Sequence, residues 1–160
     1  MAADFFINLI QTFGYLGVFV SMIMVNASVF LPLPGFVIIV AASAFLNPLL
    51  VGVAAAAGGA LGELTSYAIG YGGGKALEKK LRKNRWYSTI ERLFKSHKGS
   101  IAIFAFTALP LAVDVVGIVC GVLKYNKKKF LLLVFLGKLV LYTAIAYASY
   151  YGLEFLINYV

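Results

Sequence analysis

The chain has 160 residues, of which 62% are hydrophobic and 12% are charged, and its formal net charge at neutral pH is +8. This composition is typical of an integral membrane protein and excludes a soluble domain, because six acidic and fourteen basic residues cannot cover a water-exposed surface of this size. One histidine and one cysteine, Cys120, offer no intrachain disulfide and no metal-ligand spacing, so we expect no metal and no other cofactor.

The first apolar run covers residues 5–30. A helix of this length rises about 1.5 Å per residue and crosses a bilayer with some tilt. The run follows Asp4 without a basic segment and lacks a small-residue cleavage site, so it does not resemble a cleaved signal peptide. We predict a retained transmembrane helix.

A proline-rich segment, Leu-Pro-Leu-Pro-Gly at residues 31–35, ends this run. Prolines lack a backbone donor, so a regular helix cannot continue through two of them. The next apolar run, residues 36–46, is too short to span and ends at the turn signal Asn47-Pro48. We therefore predict a re-entrant hairpin with its hinges at Pro32, Pro34 and Gly35.

Residues 49–74 form a second predicted span, and residues 75–98 then hold nine of the fourteen basic residues. Apolar side chains recur through this basic segment at helical spacing, which predicts one or two amphipathic helices on the membrane surface. A basic belt could attract nucleic acid. Beside membrane spans it favours anionic lipid headgroups, so we expect lipid partners and no nucleic acid.

Four further lysines lie within residues 124–129, and the positive-inside rule places both basic segments in the cytoplasm. The run between them, residues 99–123, must then enter and leave by the cytoplasmic face. We predict a second re-entrant hairpin, with hinges at Pro110, Gly117 and Gly121. Residues 130–151 form the last predicted span, with residues 152–160 at the outer interface.

The predicted fold class is an all-α integral membrane protein with about three full spans, two opposed re-entrant helical hairpins and a cytoplasmic amphipathic linker. It forms a single membrane domain, in which residues 1–74 are a first repeat, 75–98 the linker and 99–160 a second repeat. We expect a multi-pass cell-membrane protein with the N-terminus and the linker in the cytoplasm. Three spans make a small membrane domain, so the sequence is compatible with a homodimer but does not itself indicate one.

Two matches in the same order indicate the repeat. Leu-Pro-Leu at residue 31 recurs at residue 109, and Gly62-Glu63 followed by Tyr67 recurs as Gly137-Lys138 followed by Tyr142. Because the two hairpins enter from opposite faces, the repeat is inverted, as in many secondary transporters.

Three ionisable residues fall inside the predicted membrane region: Glu63, Asp114 and Lys138. Charges at this depth are costly, so binding of substrate or protons is the default hypothesis for them. Asp114, beside a proline-opened backbone, could carry a proton or meet a lipid headgroup. The alternative is a structural ion pair, because Glu63 and Lys138 occupy equivalent repeat positions. Tyr67 and Tyr142 are candidates for lining a cavity.

Several motifs together resemble the DedA family of membrane proteins, also described as SNARE-associated or VTT-domain proteins, over about residues 28–152. They are Leu-Pro-Leu-Pro-Gly, Gly62-Glu63 with Tyr67 and Gly70, the basic linker, Phe106 with Pro110, Gly117 with Gly121, Phe130 and Gly137. Asp114 after Pro110, and Lys138 after Gly137, are closest to a small subfamily. The resemblance implies two facing re-entrant hairpins, and scrambling or flipping of phospholipids or polyprenyl-phosphate carriers, often tied to the proton gradient.

The chain also departs from the family pattern. Larger bacterial members have a glutamate where this chain has Phe36, and arginines where it has Thr107 and Val113. Those arginines would suit a phosphate, so Asp114 and Lys138 would have to supply part of that chemistry. Glu63 matches an acid position of the family.

We therefore expect a membrane transporter or scramblase that moves lipids or lipid-linked anions across the bilayer, with proton coupling as an option. The alternative is a non-transporting scaffold or assembly factor whose buried charges only fix the fold. An enzyme is disfavoured, because His97 lies at the interface and at the wrong depth to act with Asp114.

Overall fold

The computed structural model describes residues 2–28, 35–83, 85–96, 98–109 and 113–159. These residues form α-helices joined by short turns and contain no strand, as the predicted all-α class requires. The helices are α1 (Ala2–Phe13), α2 (Tyr15–Ala27), α3 (Gly35–Ser43), α4 (Pro48–Gly62), α5 (Leu64–Leu81), α6 (Arg85–Lys95), α7 (Gly99–Thr107), α8 (Val113–Val122) and α9 (Lys127–Tyr159).

The first apolar run is two helices and not one. Gly14 has a φ of 55°, a left-handed conformation that glycine adopts without steric cost, and it separates α1 from α2. Beyond this bend the chain folds back, so that Gly17 lies against the backbone of Leu9 and Ile10. The prediction of one continuous helix over residues 5–30 is therefore wrong, and α2 is only 13 residues long.

Helices α2 and α3 are the antiparallel arms of a hairpin. At one end, a Cβ added to Gly35 would lie 3.3 Å from the Met22 side chain, near the end of α2. At the other end, the Asn47 amide after α3 donates a hydrogen bond to the Tyr15 hydroxyl at the start of α2, at 3.1 Å. Residues 29–34, with the predicted hinges Pro32 and Pro34, lie outside the described residues.

Helices α7 and α8 form a second pair. A tyrosine again joins its open end, where the first helix begins and the second helix ends. The Tyr125 hydroxyl, just after α8, lies 2.8 Å from the Ser100 hydroxyl, at the start of α7. Residues 110–112, which include the predicted hinge Pro110, are not among the described residues. The two pairs of short helices thus share one construction, with a tyrosine contact at the open end.

Two helical stretches of the described chain are long and apolar enough to cross a membrane: Pro48–Gly73 and Lys127–Gly152. They correspond to two of the three predicted spans. The third predicted span, at the N-terminus, is missing because the bend at Gly14 leaves only the short α2. Asn47 caps the first span by accepting hydrogen bonds from the Leu49 and Leu50 amides.

The start of α2 and the basic linker lie at opposite ends of the first span. The start of α2 contacts Asn47, where that span begins, whereas the linker follows the end of α5 at Leu81. The expectation that the N-terminus and the linker share one side of the membrane stays a prediction. It rested on a first apolar run that crosses the membrane, whereas the start of α2 and the end of α3 meet at the same end of the span.

The linker contains helical segments, as predicted. Helix α5 continues to Leu81, and α6 follows with the buried side chains Tyr87 and Phe94. Arg82 joins the two segments by pairing with Glu78 at 2.9 Å and with Glu91 at 3.0 Å. The hydrogen bond that Arg82 donates to Glu78 and the charge of Glu91 raise the pKa of Arg82 above its ordinary value. Burial, followed by the charge of Glu91, raises the pKa of Tyr87.

Two hydrophobic cores share α9. One core lies between α1, α2, α3, α4 and the later part of α9, and includes Met22, Ile39 and Ala146. The other lies between α5, α6, α7, α8 and the earlier part of α9, around Phe130. Large apolar side chains such as Leu132 and Val140 remain exposed on the outer surface, as expected for a surface that faces lipid.

Candidate functional site: a buried polar junction at mid-span

Glu63 and Lys138 lie near the middle of the two candidate spans. Glu63 stands between α4 and α5, where the backbone stays helical, with φ −63° and ψ −18°. Lys138 lies within α9. Both residues therefore lie at similar depth along the two spans.

The two charges form an ion pair. Lys138 Nζ lies 3.3 Å from Glu63 Oε2, and the two side chains are 3% and 1% exposed. The pairing that the repeat suggested is thus present in the structure. Two unlike charges removed from water together avoid the much larger penalty of burying either one alone.

Asn26 and Tyr142 complete the network, and we refer to these two residues with Glu63 and Lys138 as the polar junction. Lys138 Nζ donates to Asn26 Oδ1 at 2.7 Å and to Tyr142 Oη at 3.3 Å. The Tyr142 hydroxyl donates to the same Asn26 oxygen at 3.4 Å. The Asn26 amide nitrogen donates to the Met22 carbonyl at 2.8 Å, which fixes the orientation of the side chain.

Glycines make room for the polar junction. A Cβ on Gly59 would lie 3.0 Å from Lys138 Cδ and 3.2 Å from Tyr142 Cε2. A Cβ on Gly62 would lie 2.7 Å from the Ile23 carbonyl and 2.8 Å from Asn26 Cβ. The small residues of α4 therefore let α2 and α9 approach closely enough for their polar groups to meet.

Helix α8 reaches the junction from the other side. A Cβ on Gly117 would lie 3.2 Å from Glu63 Oε1, and Gly121 lies against the Tyr67 carbonyl one turn further along α5. Both glycines were predicted as hinges. The structure places them inside α8 at its contact with α5, whereas Gly35 begins α3 beside Met22.

Tyr67, a predicted cavity-lining residue, does not join this network among the described residues. Tyr67 donates its hydroxyl to the Tyr125 carbonyl at 2.6 Å, so it ties α5 to the end of α8. Asp114 lies in the first turn of α8, three residues before Gly117, and its side chain is outside the described part of the structure. The backbone of Asp114 is therefore about one helical turn from the glycine that faces Glu63.

Asn26 is the member of the junction that the sequence did not single out. It is one of few polar residues in the first apolar run and lies near the proline segment, which is the signal that could have marked it. A single asparagine in such a run is uninformative until the fold shows which helix it faces. Its contact with Lys138 joins residues that are far apart in the chain.

The junction offers one ammonium group, one carboxylate, one amide and one phenol. Among the described residues, no group of three or more histidine, cysteine, aspartate or glutamate side chains could hold a metal ion. These groups can hold an anion, a cation or a proton by exchanging the partners that they now have. Lys138 carries the positive charge of the junction, and Glu63 is its counter-ion.

Comparison with known proteins identifies the family. The family model of the VTT domain matches residues 33–151, which is most of the chain and contains three of the four junction residues. No curated protein and no solved structure matches the chain. The family match and the two apolar helices together indicate a membrane protein. The chain therefore belongs to the VTT-domain family, whose domain is that of the DedA membrane proteins.

Proposed function

We propose that the protein moves lipids or lipid-linked anions across the bilayer, as a transporter or a scramblase. The observation that carries this proposal is the polar junction, a buried ion pair at mid-span that touches helices of both hairpins. Intramembrane charges that face the interior of a bundle commonly mark the path of a substrate or an ion.

The packing supports an inverted repeat with two re-entrant hairpins. Gly62, before Glu63, packs against α2, and Gly137, before Lys138, packs against Thr107 of α7. Each span thus contacts the first arm of its own hairpin through the glycine that precedes its charge. Each span also contacts the second arm of the other hairpin, because α5 packs on α8 and α9 packs on α3. Binding sites of many secondary transporters lie at such a repeat interface.

In this proposal a phosphate-bearing headgroup enters between the hairpins while its acyl or prenyl chains stay in the bilayer. Lys138 supplies the positive charge that the anion needs, and Glu63 balances this charge when no substrate is bound. Asn26 and Tyr142 keep the ammonium group hydrogen-bonded during the exchange. Asp114 is the proposed proton carrier, since its backbone lies one turn from Gly117.

The proposed topology follows from the basic residues and the fold together. With the linker in the cytoplasm by the positive-inside rule, the N-terminal helix and the open end of α2 and α3 lie outside, and the open end of α7 and α8 lies inside. Single cysteines at Thr12 and Ser96, both exposed, test this topology in oriented vesicles. We expect a membrane-impermeant maleimide to label the two positions from opposite sides, and labelling from one side would contradict the proposal.

Lipid movement itself is tested with the purified protein in liposomes that contain a fluorescent phospholipid or polyprenyl phosphate. We expect transfer between leaflets above that of empty vesicles, and loss of transfer when Lys138→Gln is combined with Glu63→Gln to keep the site neutral. Transfer equal to empty vesicles, with either lipid and with either direction of pH gradient, would exclude the proposed function.

A scaffold or assembly factor is the second candidate, and one observation favours it. The two charges already satisfy each other at 3.3 Å and are almost completely buried. The exchanged pair, Glu63→Lys with Lys138→Glu, separates the two functions. If the charges only stabilise the fold, the variant with the exchanged pair should fold and keep its cellular function, as the wild type does. If they bind a substrate, the protein folds but moves no lipid, because the charges have exchanged positions.

A further inference from the structure

A concave site lies at the end of the spans where Asn47 is found, away from the mid-span polar junction. It is a cavity of about 480 Å³ between the turn that follows α3 and the later part of α9. The turn contributes residues 43–48, and α9 contributes Tyr147 and Tyr150. The proposed function makes no use of this cavity.

The chemistry of the cavity walls selects a class of ligand. Three aromatic rings line it, those of Phe45, Tyr147 and Tyr150. Each of these side chains is exposed, so its ring is accessible to a ligand. The described residues that line the cavity carry no formal charge, which disfavours a phosphate or a carboxylate. Aromatic rings attract weakly hydrated cations through their negative faces.

The end of α3 adds a second source of negative potential. The last turn of this helix, at Ser43, forms part of the cavity wall, and the C-terminus of a helix carries a partial negative charge on its carbonyl groups. A quaternary ammonium group suits this combination, because it has no proton to donate and its removal from water costs little free energy. A metal cation would require oxygen ligands in a fixed geometry.

We infer that this cavity binds a quaternary ammonium group of the choline type, between Phe45, Tyr147, Tyr150 and the C-terminus of α3. The group could come from a zwitterionic lipid headgroup or from a soluble molecule, since both present the same trimethylammonium surface. The inference stands independently of lipid movement through the polar junction.

Tyr151 provides the matched control. It stacks on Tyr147 at a ring-centroid distance of 6.1 Å and contacts Tyr150 edge-on at 5.5 Å, but it is not among the residues that line the cavity. Aromatic residues near the end of a span also act as interfacial anchors. Tyr151 can act as an interfacial anchor in the same way. Replacement of Tyr151 therefore removes an anchor but leaves the cavity wall intact.

The test is a titration of choline, and of its uncharged carbon isostere dimethylbutanol, against the protein in phosphatidylglycerol nanodiscs, followed by saturation-transfer NMR. We expect saturable binding of choline and none of the isostere. Tyr150→Leu should weaken choline binding about five- to thirtyfold, whereas Tyr150→Trp, which keeps an aromatic face, and Tyr151→Leu should retain it. Equal binding of the isostere, or equal loss with Tyr151→Leu, would overturn the inference, as would no saturable binding of choline.

The same titration in phosphatidylcholine nanodiscs distinguishes the two sources of the ligand. If choline no longer binds there, the lipid headgroup already occupies the cavity. If choline binds with unchanged affinity, the site is reserved for a soluble quaternary ammonium compound.

Discussion

The polar junction and the basic linker both contain ion pairs, and the shorter pairs are expected to matter less. Arg82 lies 2.9 Å from Glu78, with side chains 53% and 34% exposed, whereas Lys138 and Glu63 are 3.3 Å apart and nearly inaccessible. Water and salt weaken the exposed pair whatever its length. In the junction neither charge has water to replace its partner. The burial of an ion pair, and not the distance between its charged atoms, therefore determines how much stability is lost when one partner is removed.

The largest effect is expected from Lys138→Met. This change leaves Glu63 charged in a buried site without its cation, which destabilises a protein by about 3–5 kcal/mol. The midpoint of thermal unfolding in detergent should fall sharply. The double variant with Glu63→Gln should regain most of the loss, because it removes the stranded charge as well. A single variant as stable as the wild type would show that the junction is open to water.

A smaller loss is expected from Gly62→Ala. The added Cβ would meet the Ile23 carbonyl at 2.7 Å, and a backbone atom cannot yield as a flexible side chain can. We expect a loss of about 1–3 kcal/mol in the free energy of unfolding, as for other overpacked positions. Gly72→Ala, near the linker, is the matched control, because nothing lies within 4 Å of its added Cβ. It should be neutral or stabilising, by up to about 1 kcal/mol. Equal losses at the two glycines would contradict this account.

Loss of one tyrosine hydroxyl should have a smaller effect in the junction and none in the linker. Tyr142→Phe takes a hydrogen-bond partner from Lys138 and Asn26, and we expect a loss of about 1 kcal/mol. Tyr87→Phe in the linker removes a buried hydroxyl that has no hydrogen-bond partner within the described ranges, so stability should be unchanged or slightly higher. Denaturation of both variants in the same detergent gives the difference. A larger loss for Tyr87→Phe would reverse the order.

The smallest effect is expected from Arg82→Gln. The Arg82 side chain is 53% exposed, although Glu91 is only 12% exposed, so water and salt screen both pairs from the arginine side and the unfolding midpoint should not move measurably at physiological ionic strength. The pKa of Arg82 is raised, so the stability that this shift contributes is present below the ordinary arginine pKa and is lost only in strong alkali. Unfolding midpoints compared between pH 6 and about pH 9 should therefore show no difference due to this residue. A fall in the unfolding midpoint within that pH range, caused by this residue, would show that Arg82 is less accessible to water than its exposure indicates.

The sequence predicted the parts of this protein that depend on local pattern. The two candidate spans, the helical linker and the ion pair of Glu63 with Lys138, which was the alternative to a binding role, followed from apolar length, helical spacing and the repeated motif. The bend at Gly14 did not, because an apolar run with one glycine is equally compatible with a continuous helix until the backbone conformation is known. Asn26 was missed because its role depends on a contact with a residue far along the chain.

The hairpin arms are short in relation to the thickness of a bilayer. Helices α2, α3, α7 and α8 have 13, 9, 9 and 10 residues, so each is roughly 14–20 Å long, against about 30 Å of hydrocarbon. Lipids beside such helices experience hydrophobic mismatch, which is relieved when the bilayer becomes locally thinner. If the protein moves lipids as proposed, a headgroup that crosses beside these arms travels through less hydrocarbon than it would elsewhere. The membrane around the protein is then part of the proposed pathway, and lipid movement should depend on acyl-chain length.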